Sequence, residues 1–356
     1  MKNKFLIVTI SDYENLGNRL QNYAVYKCLL NFGKGMNGEQ AKSKCYSIYL
    51  LKRFIMSAKK VPYLSKKLLK NRYKAYLFMH FSKRIHTSLR YFSENENNLC
   101  KNVDKVFYGS DQIWNPEFGP ENCIVPKTPK EKNIALCASI GTDYIPQEQV
   151  DKYKEGLSSF KYISVREEKA ADIVEELTGN RPVVLIDPTL SLDRTEWKKI
   201  ECRPYYKSKE YWKDKKYIFL YFLGKLNSNR KKQINKLAKK YNADIVDATR
   251  GEISDYIGPE EFIWLIHHSI MVITDSYHGS IFSFIFDKSF YVLDREDSEI
   301  KMSMNSRFDT LFKKLDLYDR KNNNIEEYVC EHDYAESYNL LENEKKAYNQ
   351  FIRDTI

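Results

Sequence analysis

The segment Thr274-Asp275-Ser276-Tyr277-His278-Gly279 places a histidine, a carboxylate and several hydroxyls between two apolar runs, IMVI before it and SIFSFIF after it. Both runs seek burial, so the polar turn between them is held rigidly by its neighbours, as a catalytic group requires. The first run reads as a central strand, the second as a helix apolar on every side, and DSYHG as the turn joining them. The amino end of that helix attracts an anion such as phosphate, which would meet Ser276 and Gly279. The same field lowers the pKa of His278 and favours neutral imidazole until a bound anion restores it. A histidine that answers to an anion in this way suits proton transfer, and His278 is the candidate acid/base. The competing reading is a histidine bonded to nearby backbone, with Asp275 capping the helix.

Elements able to position such a turn recur along the chain. KFLIVTI (4–10) reads as a buried strand followed by a helix over about 17–31. KVFYGSDQIWNP (105–116), NIALCASIG (133–141) and PVVLIDPTLSL (182–192) each open as a strand and end in polar residues. FKYISVREEKAADIVEEL (160–177) gives a strand, then Arg166 at its end, then a helix opened by two glutamates. Periodicity fades between about Leu192 and Lys216 and then restarts, with strands at 216–224, 243–248, 270–274 and 289–294. Between them run a helix at 228–241 and one with Pro259 in its first turn. Strands alternating with helices predict an α/β fold of parallel sheets covered on both faces. The expected architecture is two Rossmann-like domains facing a cleft, residues 1–195 and 196–330, with 331–356 as a C-terminal helix packing back on the fold.

In such sheets ligands bind beyond the carboxyl ends of the strands. Asn15 and Asn18 in the first loop, and Asp111 and Gln112 after the strand at 105, are therefore candidates for ligand binding. Their alternative role is turn chemistry, since Asp and Asn readily bond their own backbone. Trp114 suits either a stacking platform for a ligand or the core. His267 and His268, at a helix end, read as structural. No His, Asp or Glu spacing indicates a metal, and neither metal nor cofactor is expected.

The 356 residues, 42% hydrophobic and 14% aromatic, suffice for two domains of ordinary size. Seven scattered cysteines without a CxxC fit reduced thiols in a cytoplasm. The apolar run near the amino terminus is shorter than a secretory leader's and reads as a strand. No segment approaches the roughly 20 apolar residues of a spanning helix. Charge is uneven: residues 40–93 carry 14 Lys and Arg and no Asp or Glu, within a chain of net charge +10. This basic, aromatic-laced helical insert suits the anionic inner face of a plasma membrane, or simply a solvated helix face. No recognition-helix, zinc or RNP pattern supports nucleic acid as a partner.

Taken in order, NLGNRLQNYAVYKCL, VFYGSDQIWNP, ASIG, SVREE, VLIDPTLSL and TDSYHGSIFSFIF resemble the polysaccharide pyruvyl transferase family over roughly residues 5–315. The resemblance implies a GT-B-like fold and transfer of a pyruvyl group from phosphoenolpyruvate to a sugar, glycan or lipid-linked glycan, forming a ketal. It also implies that His278 is the acid/base, that Arg166 binds the donor's carboxylate or phosphate, and that Asn15, Asn18, Asp111 and Gln112 are placed to bind the acceptor's sugar hydroxyls. Many relatives carry an Arg-Leu-His-Gly pattern where this chain has Ser276 two places before the histidine. Lys225, Arg307 or Arg19 would then supply the missing cation. Two other readings remain: a GT-B glycosyltransferase using a nucleotide sugar near Gly224, and a non-catalytic glycan-binding relative.

Overall fold

The structure is a computed structural model and describes residues 4–10, 15–35, 44–47, 67–85, 103–117, 119, 121–126, 128–295 and 306–356. Two fully parallel sheets organise them. The first contains β1 (Lys4–Val8), β2 (Lys44–Ser47), β3 (Lys105–Tyr108), β4 (Asn133–Ala138), β5 (Tyr162–Val165) and β6 (Val183–Val184), in spatial order β2-β1-β3-β4-β5-β6. The second contains β7 (Tyr217–Tyr221), β8 (Asp244–Asp247), β9 (Met271–Thr274) and β10 (Ser289–Val292), in order β10-β9-β7-β8. Nearly every residue of β1, β3, β4, β7, β9 and β10 is buried, which is why these strands read as continuous Val/Ile/Leu/Phe runs without alternation.

The longer helices are α1 (Leu16–Gly35), α2 (Lys67–Ser82), α3 (Val150–Ser158), α4 (Glu168–Thr178), α5 (Ser228–Lys240), α6 (Pro259–His268), α7 (Tyr277–Ile285), α8 (Ser306–Leu315) and α9 (Ala335–Thr355). Each sheet has one point where the winding reverses: between β1 and β3 in the first, and between β7 and β9 in the second. Loops leaving strands on either side of such a point diverge and leave a crevice. The residues that follow β1, β3, β7 and β9 are therefore the ones the topology brings to a ligand.

One apolar core runs from the first sheet into the second. The Trp197 ring joins the two, 5.6 Å from Tyr23 of α1 and 4.8 Å, edge-on, from Phe282 of α7. Helix α9 adds Leu341, Tyr348 and Ile352 to this core, and Lys345 pairs with Asp193 at 2.6 Å.

Three local expectations shift. The strand expected over 182–192 ends at Val184, because Asp187-Pro188 opens a 3-10 turn whose first N–H group the Asp187 carboxylate caps. Helix α7 begins at Tyr277, so His278 lies inside its first turn. Its cap is Ser276, whose Oγ accepts from the Gly279 N–H at 3.3 Å. Asp275 instead accepts from the N–H groups of Leu223 and Gly224, both at 2.7 Å, and so ties the turn after β7 to the end of β9.

Part of the basic insert is described. Helix α2 buries Leu77, Phe78 and Phe81 and packs on the second domain. Arg84, just beyond it, pairs with Glu260 of α6 at 2.6 Å. Residues 40–43, 48–66 and 86–93 of that insert lie outside the described residues. No described helix is long and apolar enough to cross a membrane.

Candidate active site

A cleft of about 230 Å³ opens between the two sheets. Asn15, Asp111, Gln112, Asn115 and Thr142 line it from the first, and Tyr221, Leu223, Ser276, Tyr277, His278, Arg295 and Arg307 from the second half of the chain. Six expected site residues meet there: Asn15, Asp111, Gln112, Ser276, His278 and Arg307.

His278 is buried, and its Nε2 lies 3.7 Å from Asp187 Oδ2, outside hydrogen-bond reach. That nitrogen has no hydrogen-bond partner among the described residues. Burial lowers the pKa of the imidazole, and Arg166 and Arg307 push the same way against the pull of Asp187 and Asp111. The ring is neutral at pH 7 as a result, with carboxylates at hand to stabilise it once it takes a proton. The first turn of α1 approaches so closely that a Cβ at Gly17 would stand 2.0 Å from His278 Nδ1. Only glycine fits there. The Asn-Leu-Gly-Asn opening of α1 is therefore what lets a helix from one domain rest on the histidine of the other. Gly279 has a similar constraint: its Cβ would sit 2.6 Å from Thr274 Oγ1.

Arg307, on α8, is 5% exposed, and its Nε has no hydrogen-bond partner. It makes no ion pair with any described residue, and its guanidinium stands 5.6 Å from the centre of the Tyr277 ring. Burial, then repulsion from Arg166, lowers its pKa. A desolvated cation short of a partner is costly, and an anionic ligand relieves it.

Arg166 is placed differently from the expectation of an anion-binding arginine. It is 1% exposed and does not line the cleft. Its NH1 donates to Asp187 at 2.5 Å, NH2 to Asp111 at 2.9 Å, and Nε to Glu167 at 3.3 Å. Three carboxylates thus occupy its whole fork, and the residue holds the strand ends after β3, β5 and β6 in register. Burial pushes the Asp111 carboxyl up, but Arg166, His278 and Arg307 outweigh it and hold it at about 2. Burial keeps the Glu167 carboxyl above its ordinary value.

Of the remaining expected residues, Asn18 is buried behind Asp111 and donates to its Oδ2 at 3.4 Å, while Asn15 Oδ1 accepts from the Asn18 N–H. Gln112, at φ 53°, presents an Nε2 with no acceptor. Lys225 is exposed and off the cleft. Arg19 bonds Ser82 of the insert at 2.8 Å, away from the cleft. Trp114 is a core residue, its indole donating to the Cys123 carbonyl. His267 pairs with Glu201 at 2.7 Å, remote from the cleft. Sequence reasoning missed Gly17, Asp187, Tyr221, Leu223, Thr142 and Arg295. Asp187 alone carried a local signal, as the Asp-Pro closing a strand.

Two parallel sheets whose reversal points face one cleft define an α/β protein of the GT-B-like class. A solved structure agrees on the fold. A UDP-N-acetylglucosamine 2-epimerase from Rickettsia bellii is similar at 12% identity, covering 99% of this chain and 97% of that one, with a TM-score of 0.50. S. aureus MnaA, in a co-structure with UDP, is similar at 13% identity, covering 98% and 97% of the two chains, with a TM-score of 0.45. No curated protein matches. The family model described as polysaccharide pyruvyl transferase matches residues 15–298, most of the chain, and the protein belongs to that family.

Proposed function

We propose that the cleft transfers a pyruvyl group from phosphoenolpyruvate to two hydroxyls of a sugar in a polysaccharide or its lipid-linked precursor. The observation that carries this reading is the pairing of a neutral, buried His278 with an unsatisfied Arg307 in one interdomain cleft. Phosphoenolpyruvate offers a carboxylate and a phosphate, and planar guanidinium binds either as a fork. The amino end of α7 adds its N–H groups and its dipole to the same anion.

In this reading a sugar hydroxyl attacks C2 of the donor as its proton passes through His278 to the enol CH2, which becomes methyl. His278 takes the hydroxyl proton, and Asp187 and Asp111 stabilise the imidazolium. The C2–O bond to phosphate then breaks, and the second hydroxyl closes the ketal as its proton leaves with inorganic phosphate. Gln112 and Asn15 face the acceptor. Asp111 keeps its charge and anchors Arg166. The chain divides near residue 195, and neither metal nor cofactor takes part.

The reading is tested by incubating the protein with phosphoenolpyruvate labelled with carbon-13 at C2 and a panel of glycan acceptors, watched by NMR. A quaternary ketal carbon and free phosphate are expected, slowed about 10²–10⁴-fold by His278→Ala. Sugar transfer from a nucleotide donor, with phosphoenolpyruvate left intact, would replace this reading by glycosyl transfer.

A further inference from the structure

Outside the cleft, the most unusual surface is a run of tyrosines where α2 meets the second domain. Tyr76 is 54% exposed and Tyr205 77% exposed. From Tyr76 the rings form a continuous series to Tyr206, the neighbour of Tyr205 in the chain. Tyr76 lies 6.1 Å from Tyr73, Tyr73 5.2 Å from Tyr256, and Tyr256 5.4 Å from Tyr206. Tyr205 is within electrostatic reach of Tyr73. Large exposed aromatics in a contiguous group mark a binding surface more often than chance exposure does.

The belt and the cleft share the carboxyl edge of the second sheet. Tyr256 ends a 3-10 turn, Glu252–Tyr256, that follows β8 at the carboxyl edge of the second sheet. That edge is the one from which Leu223 and His278 line the cleft. Arg250, just before the turn, donates to the Gly224 carbonyl at 2.8 Å and so fastens this side of the sheet to the cleft wall. Leu223, 54% exposed, lines the cleft on that edge.

The chemistry of the belt selects its ligand. A sugar ring has an apolar face of C–H bonds and a rim of hydroxyls. Tyrosine matches it with an apolar face and a polar tip. The rim groups are of both signs: Tyr206 OH bonds Glu252 at 3.3 Å, and Lys207 stands 4.9 Å over the Tyr206 ring. Glu252 and Asp255 beside the tyrosines would repel an anionic lipid surface but accept bonds from hydroxyls.

We propose that the belt of Tyr73, Tyr76, Tyr205, Tyr206 and Tyr256 is a docking track for the chain of a glycan whose terminal sugar occupies the cleft. The inference rests on the pyruvyl-transfer reading and adds that the acceptor is an extended glycan held at a second place. It makes affinity rise with acceptor length, because a chain bound at two points dissociates more slowly than one bound at either.

The test uses cellohexaose and β-1,4-galactohexaose as probes, titrated into the wild type and into the double variant Tyr76→Ser, Tyr205→Ser. Both side chains are exposed, so the fold should survive; an unchanged phosphoenolpyruvate isotherm in the double variant checks this. At least one hexasaccharide should bind about tenfold more tightly than its monosaccharide, and the double variant should lose that gain. Equal binding to wild type and double variant, or no binding of either hexasaccharide, would overturn the docking track alone. Absence of phosphoenolpyruvate binding by the wild type, with the tyrosine effect intact, would instead sink the pyruvyl-transfer reading. Sedimentation with phosphatidylglycerol vesicles that the double variant abolishes, without hexasaccharide binding, would assign the belt to a membrane and refute the glycan.

Discussion

Gly17→Ala is the sharpest perturbation the geometry offers, because it replaces one hydrogen by a methyl group at the contact between the two domains. The new Cβ would stand 2.0 Å from Nδ1, 2.4 Å from Cγ and 2.8 Å from Cε1 of His278. Relaxed carbon contacts lie near 3.5–4 Å, so the ring must retreat by roughly 1.5 Å. Overpacking of this kind costs about 1–3 kcal/mol. Alanine's better helix propensity returns at most about 1 kcal/mol, so the net loss of stability is modest. The effect on turnover is larger, since a displacement of about 1 Å at the reacting groups costs on the order of 10²-fold. The assay is a double-mutant cycle with His278→Ala, following kcat for ketal formation and Tm. In the His278→Ala background the ring is gone, and Gly17→Ala should then leave the residual rate unchanged and the Tm equal or higher. A coupling of about 0.5–3 kcal/mol between the two positions is expected. Wild-type turnover in Gly17→Ala, or the same loss in both backgrounds, would show that the ring does not rest on α1.

Two further substitutions probe the buried charges. Arg166→Met strands Asp111, Asp187 and Glu167 without their common cation. Breaking a buried ion network costs about 3–5 kcal/mol, so Tm should fall by on the order of 10 °C, whereas an unchanged Tm would mean the network contributes nothing. Glu261 is buried, and its carboxyl is pushed up to about 7, chiefly by burial, from an ordinary value of 4.5. A carboxyl raised in the folded state binds more protons there than when unfolded, so its cost grows as pH rises from 4.5 to 7 and then stays. Glu261→Gln keeps an oxygen for the Gly258 N–H and removes that cost of about 3 kcal/mol. Thermal melts should show several degrees of gain at pH 8.5 and little at pH 5; an equal shift at both would refute the assignment.

The elements were largely legible from local pattern, because parallel strands buried on both faces give unbroken apolar runs and polar residues collect at their carboxyl ends. That logic brings Asn15, Asp111, Gln112, Ser276 and His278 to one cleft from sequence positions far apart. Where long-range packing decides the matter, pattern was silent. Nothing near Arg166 announces that Asp111 and Asp187 will close on its fork, so a strand-end arginine reads as a free cation. The converse holds for Arg307, one of several eligible cations in the chain, which burial beside Arg166 leaves short of partners. The start of α7 at Tyr277 was hidden because Ser276 and Asp275 are both good caps, and only tertiary bonds to Leu223 and Gly224 decide which residue does what. The contact of Gly17 with His278 joins residues from two domains and has no local signature at all.

The central claim is that Arg307 and the α7 terminus hold phosphoenolpyruvate in the interdomain cleft, and calorimetric titration of that donor into wild type and Arg307→Ala tests it most directly. Losing a charge-assisted contact is worth about 1.5–3 kcal/mol, so saturable binding by the wild type should weaken roughly tenfold to a hundredfold in the variant. Uridine diphosphate should give no comparable isotherm. Phosphoenolpyruvate binding that is indifferent to Arg307, or saturable binding of uridine diphosphate alone, would contradict the account.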